Sequence, residues 1–129
     1  PYMSSLNEEE LLVIYTNNRR EVIDAQTVTT GSNLHTVMDS MPIYKHAIDN
    51  NAQGILIAHN HPGGYAEFSE SDIINTQAVE EAGEYLKVRL IDHLVYAPGD
   101  GYASYWDLDF HSEENKDYVK QPEDNGDMV

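Results

Sequence analysis

Residues 54–64 read Gly-Ile-Leu-Ile-Ala-His-Asn-His-Pro-Gly-Gly, an apolar run that passes directly into two histidines and a turn. The run 54–58 shows no polar alternation, which predicts a strand that is covered on both faces and is therefore central in a sheet. The proline and two glycines that follow the histidines end this strand in a loop. Two imidazoles therefore lie at the carboxyl end of a predicted buried strand.

A helix is predicted soon after this loop. Ser69 can accept a backbone hydrogen bond as its N-cap, and Asp72 follows three residues later, as in a capping box. The apolar residues behind it step along one predicted face, namely Ile74, Ala78, Ala82 and Leu86, with Val79 beside them. We expect this helix to cover one side of the sheet.

The remaining elements complete an α/β pattern. Segments 11–16 and 21–28 flank the turn 17–20 and predict a β-hairpin. Residues 41–48 predict a short helix, and residues 88–96 and 102–106 predict two further strands. The predicted order β-β-α-β-α-β-β is an α/β sandwich on a mixed sheet flanked by helices.

Composition limits the function and the organisation. The 129 residues contain no cysteine, so any metal must be bound by nitrogen and oxygen ligands. With 23 acidic and 7 basic residues the formal net charge is -16, which disfavours direct nucleic-acid binding. Because no apolar run approaches the roughly 20 residues of a membrane helix and the start resembles no signal peptide, we expect a cytoplasmic protein. The sequence predicts one domain over 1–106 and a poorly packed acidic tail over 107–129.

Two histidines and one aspartate form a candidate metal site. Because side chains alternate along a strand, His59 and His61 project to the same side. Asp72 lies in the first helical turn, eleven residues after His61, and the intervening loop can fold it back towards them. Catalytic zinc typically has three protein ligands and one water, so this set predicts Zn²⁺. A carboxylate not bound to the metal is then needed to move a proton, and Glu9 and Glu10 are the candidates.

These residues also carry a resemblance to a known family. The spacing His59-x-His61-x7-Ser69-x2-Asp72 matches the JAMM (JAB/MPN) metalloprotease motif, including Pro62 after the second histidine. The wider sequence resembles the RadC-like branch of that family over residues 9–106. It differs from the usual pattern of that branch at Gly63 and Phe68, and the 129 residues include no helix-hairpin-helix region.

The resemblance implies both a fold and an activity. It implies a cytidine-deaminase-like α/β fold, Zn²⁺ bound by the three residues above, and Ser69 as a hydrogen-bonding group near the reacting carbonyl. By family register the water-activating glutamate falls on Glu9, with Glu10 one residue out of place. The implied activity is zinc-dependent hydrolysis of peptide or isopeptide bonds, with a peptide or protein as substrate.

Other functions stay open at this level. A non-catalytic JAB/MPN interaction module would keep the fold without the activity, and the RadC-like branch also carries a DNA-repair label. A zinc deaminase is excluded because it needs a pair of cysteine ligands. His93 is expected to be a buried, hydrogen-bonded residue beside Asp92, with a supporting role behind the metal ligands as an alternative. His35, His46 and His111 fit no ligand pattern, and the oligomeric state is left open.

Overall fold

The computed structural model of the chain describes residues 9–31 and 38–108. Its strands are β1 (Glu9–Thr16), β2 (Val22–Gly31), β3 (Gly54–Asn60), β4 (Arg89–Ala97) and β5 (Gly101–Ser104). Its helices are α1 (Ser40–Asp49), α2 (Glu70–Leu86) and a short 3-10 helix (Trp106–Leu108). The predicted element order is confirmed.

One mixed sheet contains all five strands, in the order β2-β1-β3-β4-β5. Strands β3 and β4 are parallel, and each of the other neighbouring pairs is antiparallel. A parallel pair needs a crossover connection, which α2 supplies between β3 and β4. The predicted α/β fold with a mixed sheet is therefore confirmed, and β3 is its central strand.

Both helices pack against the same face of this sheet. The core between them contains alternate residues of the central strands together with residues of both helices: Leu11, Val13, Tyr15, Ile43, Tyr44, Ala47, Ile55, Ile57, Val79 and Leu90. On the opposite face Leu56 and Ala58 are only half-buried. Within the described residues, the prediction that the run 54–58 is covered on both faces is therefore wrong.

Helix α2 is rotated relative to the apolar face that the sequence predicts. Its buried residues are Asp72, Ile73, Thr76, Val79 and Gly83. Ile74 is 51% exposed and Leu86 is 40% exposed, whereas Ala82 packs against the core, so only part of the predicted stripe faces the sheet. The inward side chains of Asp72 and Thr76 are polar because they contact the buried histidines of the sheet. Gly83 permits this approach, since a Cβ there would lie 2.5 Å from the hydroxyl oxygen of Tyr44.

A bulge in β4 decides which way His93 points. The pairing of β4 with β3 shifts by one residue at Ile91, so His93 shares the buried face with Leu90 and Val95. Strand alternation alone would place His93 on the same face as Ile91, and the bulge overrides it. The Asp92 carboxylate accepts a hydrogen bond from the backbone nitrogen of His93 at 2.7 Å. The bulge thus aims His93 at α2.

The described part of the chain ends beyond β5. Asp107 and Leu108 belong to the short 3-10 helix, and Leu108 packs against the buried pair Ile73 and Tyr105. The rest of the predicted tail, residues 109–129, lies outside the described residues. Neither of the described α-helices is long and apolar enough to cross a membrane.

Candidate metal centre

The end of β3 positions the two histidines of the motif. His59 is fully buried and points to the helix-covered face, which it shares with Ile57. His61 follows the strand directly, and its backbone nitrogen donates to the carbonyl oxygen of Tyr96 in β4 at 2.7 Å. Both imidazoles therefore project from the same side of the sheet, as predicted.

The first turn of α2 brings Asp72 to these imidazoles. Asp72 N donates to Ser69 Oγ at 3.0 Å, and Ser69 N donates to Asp72 Oδ2 at 3.0 Å, which is the predicted capping box. The same Oδ2 atom lies 3.6 Å from His59 Nε2 and 3.5 Å from His61 Nε2. The carboxylate therefore stabilises the start of the helix and faces the histidines at the same time.

The three side chains have a geometry that fits a metal ion. His59 Nε2 and His61 Nε2 are 2.9 Å apart, and each lies 3.5–3.6 Å from Asp72 Oδ2. A triangle with these edges contains a point about 2 Å from every corner, and Zn–N and Zn–O bonds are about 2.0–2.2 Å long. The cluster could therefore hold a metal ion.

A backbone carbonyl orients His61. Its Nδ1 lies 3.1 Å from the carbonyl oxygen of Tyr65, which can only accept, so Nδ1 carries a hydrogen and Nε2 is the atom that faces the cluster. The Tyr65 loop is fixed in turn, because Ala66 N donates to Asp100 Oδ2 at 2.8 Å. Sequence reasoning missed Asp100, which lies in the turn between β4 and β5.

A second set of contacts lies behind His59. His59 Nδ1 is 2.7 Å from His93 Nε2, and His93 Nδ1 is 2.7 Å from Thr76 Oγ1. Thr76 Oγ1 also donates to the carbonyl oxygen of Asp72 at 2.6 Å. His93 is buried and hydrogen-bonded, as expected, and its contact with His59 is also compatible with the alternative, a supporting role behind the metal ligands. No sequence pattern indicates a role for Thr76, apart from its position one helical turn after Asp72.

Burial and charge shift the pKa values of this cluster. Burial raises the pKa of Asp72, but the hydrogen bonds of His59 and His61 and the charge of His59 outweigh it and hold that pKa well below its usual range. The hydrogen bond with Asp72 raises the pKa of His61, although partial burial opposes it. Burial lowers the pKa of His93 well below its usual value, and His59 adds to the shift.

Of the two candidate glutamates, Glu9 borders the cluster. Glu9 shares the helix-covered face of β1 with Leu11, and its Oε2 lies 3.9 Å from His61 Nε2. Glu10 is the next residue along the strand, and its backbone nitrogen donates to Asn60 Oδ1 at 2.6 Å. Asn60 therefore joins β3 to β1.

The other predicted residues lie around or away from the cluster. Ser69 is exposed at the start of α2, beside Asp72. Phe68, one of the departures from the family pattern, packs edge-on against His93 with ring centroids 5.1 Å apart. His46 binds Asp24 at 2.7 Å and is not part of the cluster. His35 and His111 lie outside the described residues.

Comparison with known proteins shows extensive similarity. A family model described as RadC-like JAB domain matches residues 1–110. The UPF0758 protein of Enterococcus faecalis is 33% identical over 112 residues, which are 87% of this chain and 48% of that protein. The UPF0758 protein of Methanospirillum hungatei is 37% identical over 97 residues, 75% of this chain and 43% of that protein. That of Porphyromonas gingivalis is 35% identical over 107 residues, 83% of this chain and 47% of that protein. The chain thus spans less than half the length of these relatives.

Proposed function

Because the chain belongs to the RadC-like JAB domain family, as its sequence motifs predicted, we propose that it is a zinc-dependent hydrolase of peptide or isopeptide bonds. The observation that carries this proposal is the triangle of His59 Nε2, His61 Nε2 and Asp72 Oδ2, whose edges suit one divalent cation. Two imidazoles and one carboxylate are a donor set typical of hydrolytic zinc sites.

The accessible side of the cluster suits a reaction with a substrate. The side chain of His59 is fully buried and that of Asp72 is 5% exposed, whereas His61 and Glu9 are 19% and 27% exposed. A substrate would therefore approach from the side of His61 and Glu9. Zinc, when bound there, would polarise a carbonyl group and make hydroxide available near neutral pH.

We assign the proton transfers to Glu9. A carboxylate that borders the metal ligands can take a proton from the attacking water and return it to the leaving amine as the C–N bond breaks. Ser69 follows the loop after His61, and we assign its hydroxyl to hydrogen bonding at the substrate carbonyl oxygen. Its backbone nitrogen meanwhile holds Asp72 Oδ2 in place.

A peptide or protein is the substrate class that we propose. The chain carries 23 acidic and 7 basic residues, a balance that opposes binding to phosphate backbones.

A matched pair of variants tests the proposal. Zinc-loaded wild type, Glu9→Gln and Glu10→Gln are assayed on fluorogenic peptides and on ε-lysine isopeptides, with zinc content measured in parallel. We expect Glu9→Gln to keep its zinc and lose at least about 100-fold in turnover, because it removes the general base. Glu10→Gln changes the adjacent acid on the other side of the strand and should stay within about threefold of wild type.

Two outcomes would contradict this assignment. Full turnover by Glu9→Gln would show that Glu9 is not the base. A wild type that binds zinc yet cleaves none of the peptides or isopeptides would contradict the hydrolase and favour a non-catalytic interaction module.

A further inference from the structure

We propose that Thr76 and His93 form a buried relay through which the backbone carbonyl of Asp72 fixes the ring tautomer of His59, so that His59 Nε2 is preset as a metal ligand. The inference rests on the proposed metal site, and it assigns a positioning role to two residues outside the ligand set. It follows from the direction of three successive hydrogen bonds.

The direction of the relay is set at its carbonyl end. Thr76 Oγ1 lies 2.6 Å from the carbonyl oxygen of Asp72, and a carbonyl can only accept, so the single hydroxyl hydrogen points there. The same Oγ1 lies 2.7 Å from His93 Nδ1. Because its hydrogen is already used, Thr76 must accept at this contact, and His93 therefore carries a hydrogen on Nδ1.

The position of the hydrogen on His93 determines the position of the hydrogen on His59. With its hydrogen on Nδ1, a neutral His93 presents a bare Nε2, which accepts from His59 Nδ1 at 2.7 Å. A neutral His59 that donates through Nδ1 has its lone pair on Nε2, the atom that faces His61 and Asp72. The opposite direction would put a hydrogen on His59 Nε2 and block coordination.

Burial protects the relay from competing water. Thr76, His59 and His93 are each 0% exposed, and Phe68 packs edge-on against the ring of His93. A buried polar group that loses its partner has no water to replace it, so each bond of the relay constrains the next. Asp72 thereby acts twice, with its carboxylate in the cluster and its carbonyl at the origin of the relay.

Zinc affinity tests the relay. Dissociation constants are measured by competition with a chromogenic chelator for wild type, Thr76→Val, Thr76→Ser and Val79→Ala. Thr76→Val keeps the shape and removes the hydroxyl, so zinc should bind about 10–100-fold more weakly, the usual effect of losing a partner behind a metal ligand. Thr76→Ser restores the hydroxyl and should return the affinity to within about threefold of wild type.

Val79→Ala is the control for a loss of stability that does not involve the relay. Val79 is buried one turn further along α2 and belongs to the apolar core between the helices. Its truncation should lower the stability of the metal-free protein without changing zinc affinity. If Thr76→Val and Val79→Ala both lost zinc affinity in proportion to their loss of stability, Thr76 would have no positioning role.

The wild type gives a test that needs no variant to fold. Long-range ¹H–¹⁵N NMR spectra of the zinc-loaded protein report which ring nitrogen carries the hydrogen, and we expect Nδ1 for both His59 and His93. A His93 ring protonated on Nε2 would overturn the relay even if zinc binds. Absence of zinc binding in the wild type would instead overturn the metal site, and with it the role that the relay serves.

Discussion

Ser69 and Asp72 bind each other reciprocally, each side chain accepting from the other residue's backbone nitrogen at 3.0 Å. This capping box fixes the first turn of α2, and it also holds Asp72 Oδ2 at 3.5–3.6 Å from the two imidazoles. Asp72 therefore belongs both to the cap of the helix and to the candidate metal site. Substitutions can separate these two roles.

Ser69→Ala and Asp72→Ala should differ in their effect on zinc. Each removes one half of the capping box. Ser69→Ala should lower the free energy of unfolding of the metal-free protein by about 1 kcal/mol, and Asp72→Ala by more, because its carboxylate also contacts the two imidazoles. Ser69→Ala leaves the bond from its backbone nitrogen to Asp72 Oδ2 and should keep zinc, whereas Asp72→Ala should lose it. Urea unfolding with chelator present and zinc content without it measure the two effects. Loss of zinc from Ser69→Ala would contradict this separation.

Stabilisation by zinc should increase with pH. The pKa of His61 is raised in the metal-free protein by its hydrogen bond with Asp72. The stability from that protonated pair is present below the unfolded pKa of about 6.5 and is lost as the pH rises through the folded value. Zinc needs the bare nitrogen, so its affinity changes in the opposite sense.

Melting temperatures with zinc and with chelator measure this effect between about pH 5.5 and 8.5. The difference between the two should be small at the acidic end and should widen as the pH rises. A difference that is constant, or that shrinks towards alkaline pH, would contradict the assignment of His61 as a ligand.

The neighbouring residues Ile73 and Ile74 test the rotation of α2. Ile73 is 9% exposed and packs beside Tyr105, whereas Ile74 is 51% exposed. Ile73→Ala should therefore lower the free energy of unfolding by about 2–4 kcal/mol, and Ile74→Ala by less than about 1 kcal/mol. Urea unfolding of both variants measures the contrast. Equal losses, or a larger loss for Ile74→Ala, would show that the predicted apolar stripe faces the sheet after all.

This rotation illustrates what the sequence could and could not predict. The apolar run of β3, the capping residue Ser69 and the spacing of His59, His61 and Asp72 are local signals, and each identified its element correctly. The face of α2 is not a local property. It is decided by Thr76 reaching His93, by the close approach at Gly83, and by Asp72 turning inward, and a count of apolar residues weights none of these contacts.

The role of His93 depended on a feature with no clear sequence signal. Strand alternation places His93 with Ile91, but the bulge in β4 shifts the phase by one residue and aims the ring at His59. A bulge arises from how two strands pair, so it follows from tertiary structure. Thr76 and Asp100 were missed for the same reason, since their partners lie 17 and 34 residues away along the chain.

Asp100 should influence zinc through the loop that orients His61. Its carboxylate accepts from Ala66 N, next to the Tyr65 carbonyl that binds His61 Nδ1. Asp100→Ala should weaken zinc binding by less than about tenfold, because Asp100 contacts the loop that binds His61 and does not contact His61 itself. Asp100→Asn keeps an oxygen that can accept and serves as the control. An Asp100→Asn variant that binds zinc as weakly as Asp100→Ala would show that the hydrogen bond is not the cause.

Zinc stoichiometry after equilibrium dialysis, measured by mass spectrometry of the metal, tests the proposed centre most directly. Wild type and His46→Ala, which changes a histidine bound to Asp24 and outside the cluster, should each retain one zinc per chain. His59→Ala and Asp72→Ala should retain almost none. A wild type without zinc, or an Asp72→Ala variant that keeps as much zinc as wild type, would contradict the proposed metal centre.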